Sequence, residues 1–367
     1  MAFHLEDILT AFTEKYRKNK VLTSCLAEAT GTFLLVFFGL GFTANAVLVN
    51  APIDLFGGAF LWGLALTLGI YVTASISTAH LNPAVSIALA IFRSKEFTPR
   101  MCVCYIVSQT IGAFIGALLV FGLFNDFLVA YEQENNIVRG SVASIGQEMI
   151  YGEFFPNPAI IPHTVGNSAL LPGGSIEHAF AMEFVGTFLL MFLILAIVDR
   201  NQNTLKHKEL APLIIGLSLV SIVSVVAPST EACINPARDF GARLVAVMMG
   251  YGKVALPGPR NEMWVYIFAP ILGALVGALF HDLLIAPGLR RTAKPYVTYQ
   301  SKVHDLQLQR SLRDIFSNQG SKDEISSPSS GGGLTLEQQT KLLAILAGAA
   351  FQGGKQEEAA EAEARPA

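Results

Sequence analysis

The stretch HLNPAVSIALAIF, residues 80–92, is apolar but short. From Asn82 to Phe92 an α-helix rising ~1.5 Å per residue reaches about half of a bilayer core of roughly 30 Å. It opens on Asn82-Pro83-Ala84. The same triplet, Asn235-Pro236-Ala237, opens a second short apolar stretch at 235–247, within CINPARDFGARL (233–244). Short, proline-marked hydrophobic segments at matching places in two halves of a chain point to half-helices that line a pathway. A third copy, Asn157-Pro158-Ala159, stands in FFPNPAIIP (154–162). Which of Asn82, Asn157 and Asn235 do chemistry is the question the rest of the chain answers.

Around these stretches lies a membrane protein. The 367 residues are 52% hydrophobic and 14% charged, and the mean hydropathy is +0.49; soluble domains run nearer a quarter charged. A net charge of −3 argues against a nucleic-acid partner. Six segments are long and apolar enough to span: about 22–49, 55–77, 99–124, 178–198, 210–228 and 263–287. Cys25, Cys102, Cys104 and Cys233 form no metal-ligand spacing and read as free thiols. The first twenty residues are too charged for a cleavable signal peptide, but Phe3, Leu5, Ile8, Leu9, Phe12 and Tyr16 recur near helical spacing. That spacing predicts a short amphipathic helix on the inner membrane surface.

The two halves match. AEATGTFLLVF (27–37) and AMEFVGTFLLMF (181–192) share a pattern, with Glu28 and Glu183 a step of 155 apart. Asn82 to Asn235 is a step of 153, and GAFIGA (112–117) to GALVGA (273–278) a step of 161. Three spans per half is an odd number, so the second half enters the membrane from the opposite face, as an inverted repeat. Asn157 has no partner in that scheme. Lys15, Arg17, Lys18 and Lys20, then Arg93, Lys95 and Arg100, then Arg200, Lys206 and Lys208, then Arg290, Arg291 and Lys294 all fall on one side. The opposite loop of about 50 residues, 125–177, holds Arg139 against six carboxylates, which predicts that both termini are cytoplasmic. The expected organisation is a cytoplasmic segment 1–21 and a channel-like domain 22–290, with repeats at about 22–124 and 178–287. A cytoplasmic, mostly disordered tail follows at 291–367. Within that tail SSPSSGGG (326–333) is a flexible spacer, and LTLEQQTKLLAILAGAAFQ (334–352) reads as one amphipathic helix with a docking or sorting role, or none.

Local chemistry favours Asn82 and Asn235. Pro83 and Pro236 suit the first helical position, where a missing N–H costs nothing. Asn is a strong N-cap, and its amide NH₂ is expected to stay free to donate. Two opposed half-helices bring two such donors and two positive helix ends to the bilayer centre, where they interrupt a water wire and repel cations. Two ordinary capped helices are the bland alternative. Arg238, inside an apolar half-helix, is costly unless it faces a water-filled cavity; an ion pair with adjacent Asp239 is its bland alternative. Glu28 and Glu183 sit in spans, and their symmetrical placement suggests acceptors for backbone N–H groups of the non-helical loops rather than proton carriers.

On the two repeated triplets at half-helix starts, the chain resembles the major intrinsic proteins, the aquaporin and glycerol-channel family, over roughly residues 20–290. The resemblance implies an all-α membrane fold, aquaporin-like, of six transmembrane helices plus two re-entrant half-helices. It places the pore triplets at Asn82, Pro83, Ala84, Asn235, Pro236 and Ala237, and makes Asn157 part of a loop. It implies a selectivity filter of Trp62, Val223, Ala232 and Arg238, with Asp239 the marker of the glycerol-conducting branch. Arg243 and Pro270-Ile271 fit that branch too. Val223 replaces a common Gly and Ala232 an aromatic, which leaves selectivity over urea open; Glu231 is unusual at the outer mouth. His80 is read as contributing a backbone carbonyl, with gating by protonation as the alternative. Cys233 is expected to expose the filter to mercurials. Gly112, Gly116, Gly273 and Gly277 are read as packing positions.

The implied function is a passive channel for water and small uncharged solutes, chiefly glycerol and also urea. It is no enzyme and uses no cofactor or metal. It is expected to be a homotetramer surrounded by lipid, with one pore per subunit, in the plasma membrane. A water-selective channel, a coupled secondary transporter and a non-conducting adhesion protein are the other readings.

Overall fold

The computed structural model describes residues 13, 18–159 and 174–292. The amphipathic segments expected at 3–16 and 334–352 lie outside the described residues. Those described are helical, with no strand among them. Helix α1 spans Lys20–Leu48, α2 Leu55–Ser77, α3 Pro83–Phe92, α4 Pro99–Asn135, α5 Ile176–Val198, α6 Ala211–Thr230, α7 Pro236–Ala246 and α8 Val265–Phe280. Six helical segments are long and apolar enough to cross a membrane; α3 and α7 are not among them. This is an all-α, multi-pass membrane protein.

Side-chain caps set the starts. Asn19, Asp54, Thr98 and Ser175 each accept a backbone N–H in the first turn of α1, α2, α4 and α5. The expected spans agree with the helices except at α4, predicted to end near 124. It runs 37 residues and closes on Asn136, whose φ of 51° is left-handed and whose N–H returns to Gln133 and Glu132. Hydropathy ends where charges begin; the helix does not. At ~1.5 Å per residue α4 exceeds the bilayer core and carries Asp126, Glu132 and Glu134 beyond it.

Packing repeats between the halves. A Cβ on Gly112 of α4 would sit 2.1 Å from the Ala29 carbonyl of α1, and one on Gly273 of α8 2.2 Å from the Phe184 carbonyl of α5. Small residues there let backbones touch where no hydrophobic force separates helix from lipid. Gly63 of α2 and Gly216 of α6, a step of 153 apart, meet reciprocally: a Cβ on either would lie 2.5 Å from the other's carbonyl oxygen. That self-matching contact puts the pseudo-two-fold axis between α2 and α6. Each half-helix packs against the third spans of both halves, so the repeats interlock.

The basic loops gather at one end. Arg93 forks onto Asp282 beyond α8 at 2.7 and 2.6 Å, and Arg200 reaches Glu96 at 3.1 Å. Ser24 near the start of α1 donates to Ile76 near the end of α2. At the opposite end Ile145, Met149 and Phe154 pack against Val47 near the end of α1, and Asn157 donates to the Ala227 carbonyl near the end of α6.

Candidate functional site where two half-helices meet

The approach to each half-helix has the same irregular backbone. Thr78, Ala79 and Leu81 have φ of 68°, 51° and 50°; Glu231, Ala232 and Ile234 have 62°, 62° and 42°. These are equivalent positions, and none is glycine. Left-handed non-glycine residues cost roughly 1–2 kcal/mol each and persist only where the surroundings over-determine them. Here a buried carboxylate does so. Glu28 accepts from the Ser77 hydroxyl at 2.7 Å and the N–H groups of His80 and Leu81 at 2.9 and 2.7 Å, and also from Gln109 at 2.8 Å. Glu183 accepts from Thr230 at 2.6 Å and the N–H groups of Cys233 and Ile234 at 3.0 and 2.7 Å. Every side-chain oxygen of these glutamates is committed to the loops, the arrangement that irregular backbone at membrane depth requires.

The two Asn side chains then cross. Asn82 caps α3 by accepting from Ala84 N at 2.9 Å, and Asn235 caps α7 by accepting from Ala237 N at 3.1 Å and Arg238 N at 3.3 Å. Asn82 Nδ2 donates to the Ile234 carbonyl and Asn235 Nδ2 to the Leu81 carbonyl, both at 2.8 Å. The amides were expected to be wholly free. One hydrogen of each is instead spent pinning the opposite half-loop, leaving one per Asn. The cost of that hydrogen is offset by precision: the positive ends of α3 and α7 are locked face to face.

One turn into α7 stands Arg238, 7% exposed. Its guanidinium carbon lies 4.2 Å from the centroid of the Trp62 ring. Trp62 is seated by Gly39, where a Cβ would come 2.2 Å from the indole, and by the edge of Phe42 at 5.8 Å between centroids. Val223 and Ala232, 6% exposed each, belong to one apolar cluster against which Trp62 packs. Asp239 is not the partner of Arg238. Both its oxygens accept from Arg243 Nε at 2.8 Å, while the Arg238 guanidinium is ion-paired with Glu153.

Arg243, fully buried, explains the outer loop. It donates to the Ala255 carbonyl at 2.7 Å and to the Glu153 carbonyl, while Asp239 accepts from Glu153 N at 2.9 Å. Asn157 accepts from Ala159 N at 2.9 Å and donates to the Ala227 carbonyl at 2.8 Å. It imitates the other two Asn locally, and fastens the loop to the end of α6. Glu231 accepts from Phe154 N at 2.6 Å. Glu148 is wholly buried in the same loop, and burial raises its carboxyl well above the usual range, offset only in part by Arg243.

A sequence profile of the family described as Major intrinsic protein matches residues 15–281. The chain belongs to that family.

Among relatives of this major intrinsic protein, the glycerol uptake facilitator protein of Pseudomonas aeruginosa is 40% identical over 281 residues, covering 76% of this chain and 94% of the relative. That of Escherichia coli is 42% identical over 265 residues, covering 71% and 87%. A propanediol uptake facilitator of Citrobacter freundii is 38% identical over 267 residues, covering 72% and 93%. The X-ray structure of the aquaglyceroporin from Plasmodium falciparum superposes with a TM-score of 0.61 at 30% identity, over 74% of this chain and 99% of that one.

Several functional neighbours escaped the sequence reading. Gly39, Gly63, Gly216 and Gln109 are each a single unremarkable residue; only the step of 153 joining Gly63 to Gly216 was there to be found. One expectation is corrected. Cys233 does not face the constriction: it is 2% exposed, with its thiol toward the carbonyls of Asn235 and Tyr266, among Phe155, Ala179 and Val265. The His80 ring is packed between Phe97 and Tyr105, at 4.6 and 5.0 Å between centroids, with Nδ1 3.2 Å from the Ser86 hydroxyl.

Proposed function

We propose that this major intrinsic protein is a passive transmembrane channel for water and small uncharged solutes, chiefly glycerol, with urea as a further permeant, and not an enzyme. The observation that carries the reading is Arg238 stacked 4.2 Å from Trp62, one helical turn from the crossed Asn82 and Asn235. The names of its relatives support glycerol. In this reading Trp62, Val223, Ala232 and Arg238 form the selectivity filter. A polyol lays its carbon backbone on Trp62 and the apolar pair while its hydroxyls accept from Arg238. The hydroxyls then pass the free amide hydrogens of Asn82 and Asn235. An oxygen accepting from both Asn has no neighbour in line to relay a proton, and two positive helix ends plus Arg238 oppose cations. Pro83, Ala84, Pro236 and Ala237 start the half-helices without adding polar groups. Asp239, the marker of the glycerol branch, acts through Arg243 and Glu153 rather than on the permeant.

Residues 1–21 and 291–367 are the cytoplasmic ends of this reading and 22–290 its channel domain. The gathering of basic loops at one end of the bundle supports that orientation. A homotetramer in the plasma membrane, one pore per subunit, with lipid on the exposed apolar faces, completes it.

The test is stopped-flow light scattering on proteoliposomes of the purified protein, challenged with sucrose and then glycerol. Shrinkage and re-swelling faster than empty vesicles, without proton leak, is expected. Water flux without glycerol flux would make the chain a water-selective channel. Flux that depends on a proton or ion gradient would make it a coupled transporter.

A further inference from the structure

In the reading above Glu153 serves only through its backbone, yet the fold also takes trouble to place its side chain. It is 1% exposed, and its carboxylate is ion-paired with Arg238. The surrounding backbone is fastened residue by residue. Glu153 N–H donates to Asp239 Oδ1 at 2.9 Å, and its carbonyl accepts from Arg243. Phe154 N–H donates to Glu231 Oε2 at 2.6 Å, the Phe155 carbonyl accepts from Arg260, and Asn157 donates to the Ala227 carbonyl at 2.8 Å. Residues 153–157 are thus a strap, with a carboxylate aimed at the one guanidinium of the constriction.

Electrostatics gives that carboxylate a purpose. Asp239 is spent on Arg243, so no other carboxylate is paired with Arg238 among the described residues. An uncompensated guanidinium in a confined site is a carboxylate receptor, because its planar fork matches two oxygens. In a channel for uncharged solutes, such a group left bare beside Trp62 would offer small anions a site.

Resting on the proposed function, we propose that Glu153 is the resident counter-ion of Arg238 and a specificity-determining residue. It occupies one edge of the guanidinium and offsets part of its charge. External anions are denied the site, and the remaining donors are left to hydroxyls.

The experiment compares wild type with Glu153→Gln in proteoliposomes at pH 7, with external sodium formate or, at equal ionic strength, sodium gluconate, which is too large for the site. Glycerol and water fluxes are both recorded. Wild type is expected to be indifferent to formate. In Glu153→Gln about 50 mM formate, and not gluconate, is expected to slow flux roughly threefold or more, the weak millimolar binding that one charge-assisted pair provides. A merely structural Glu153 would not create formate inhibition. Equal formate response in wild type and variant overturns the proposal, whether both are inhibited or neither. Where Glu153→Gln fails to fold, Glu153→Ser takes its place with the same outcomes. Absence of glycerol flux in wild type would sink the functional reading instead, and inhibition would then be read on water flux.

Discussion

The two half-loops, 78–92 and 231–246, share a backbone and divide the chemistry unequally. Both have left-handed residues at the same three positions, both hang on a buried glutamate, and both send an Asn amide to the other's carbonyl. At the step of 153, however, α3 has Val85, Ser86 and Ala90 where α7 has Arg238, Asp239 and Arg243. Delivering a positive helix end to mid-membrane is a two-fold task, and each half performs it. The charged side chains stand on one half-loop only, α7 carrying Arg238, Asp239 and Arg243. The charges this buries are compensated by the strap folded over α7; α3 has no such cover and no such charges.

Removing either glutamate should break the shared part first. Glu28→Ala orphans four donors and Glu183→Ala three, at roughly 1–3 kcal/mol each. Both variants should fail to yield folded protein, Glu28→Ala the more completely; a wild-type melting temperature in detergent for either would end the claim that the carboxylates hold the half-loops.

The unequal part comes next. Arg243→Ala should cost about 3–5 kcal/mol by stranding the buried Asp239, while Ala90→Gly at the matching place should cost about 1 kcal/mol. Thermal unfolding of the two in parallel measures the asymmetry, and similar losses would abolish it. Arg238→Val copies Val85 into the second half. Water flux should persist, while the urea-to-glycerol permeability ratio rises about tenfold, equivalent to ~1.4 kcal/mol of lost discrimination; an unchanged ratio and unchanged ion exclusion would remove Arg238 from the filter.

Asn157→Ala sharpens the contrast between the true half-loops and the imitation. Its expected cost is about 1 kcal/mol of stability for one buried hydrogen bond, with permeability per channel unaltered. A fall in unit permeability at matched expression would put the third triplet on the pathway. Smallest of all is the mercurial effect: with the Cys233 thiol turned into the α5–α8 contact, external mercurials should leave flux within error of control, and block relieved by Cys233→Ser would reverse that placement.

Much of this was legible in advance, for physical reasons that can be named. Spans show as runs of apolar residues, and half-helices as runs too short to cross that begin with a capping Asn and a Pro at the first position. The twin glutamates were readable because a repeated carboxylate in a span demands a repeated set of donors. The α4 extension was missed because hydropathy tracks lipid and not helix. The crossing of the Asn amides was missed because a cap shows in local sequence and a partner 152 residues away does not.

By itself, the sequence determined the six spans, the two half-helices, their inversion and the three-residue setting of each Asn, since all are local in the chain or repeat along it. Only the tertiary structure decided which charges meet. Asp239 is adjacent to Arg238 in sequence yet bonds Arg243, because a helix brings residues four apart onto one face. Arg238 finds its counter-ion in Glu153 because a loop from the other side of α5 is folded back and fastened there. Burial makes each of those pairings obligatory, and burial belongs to the fold.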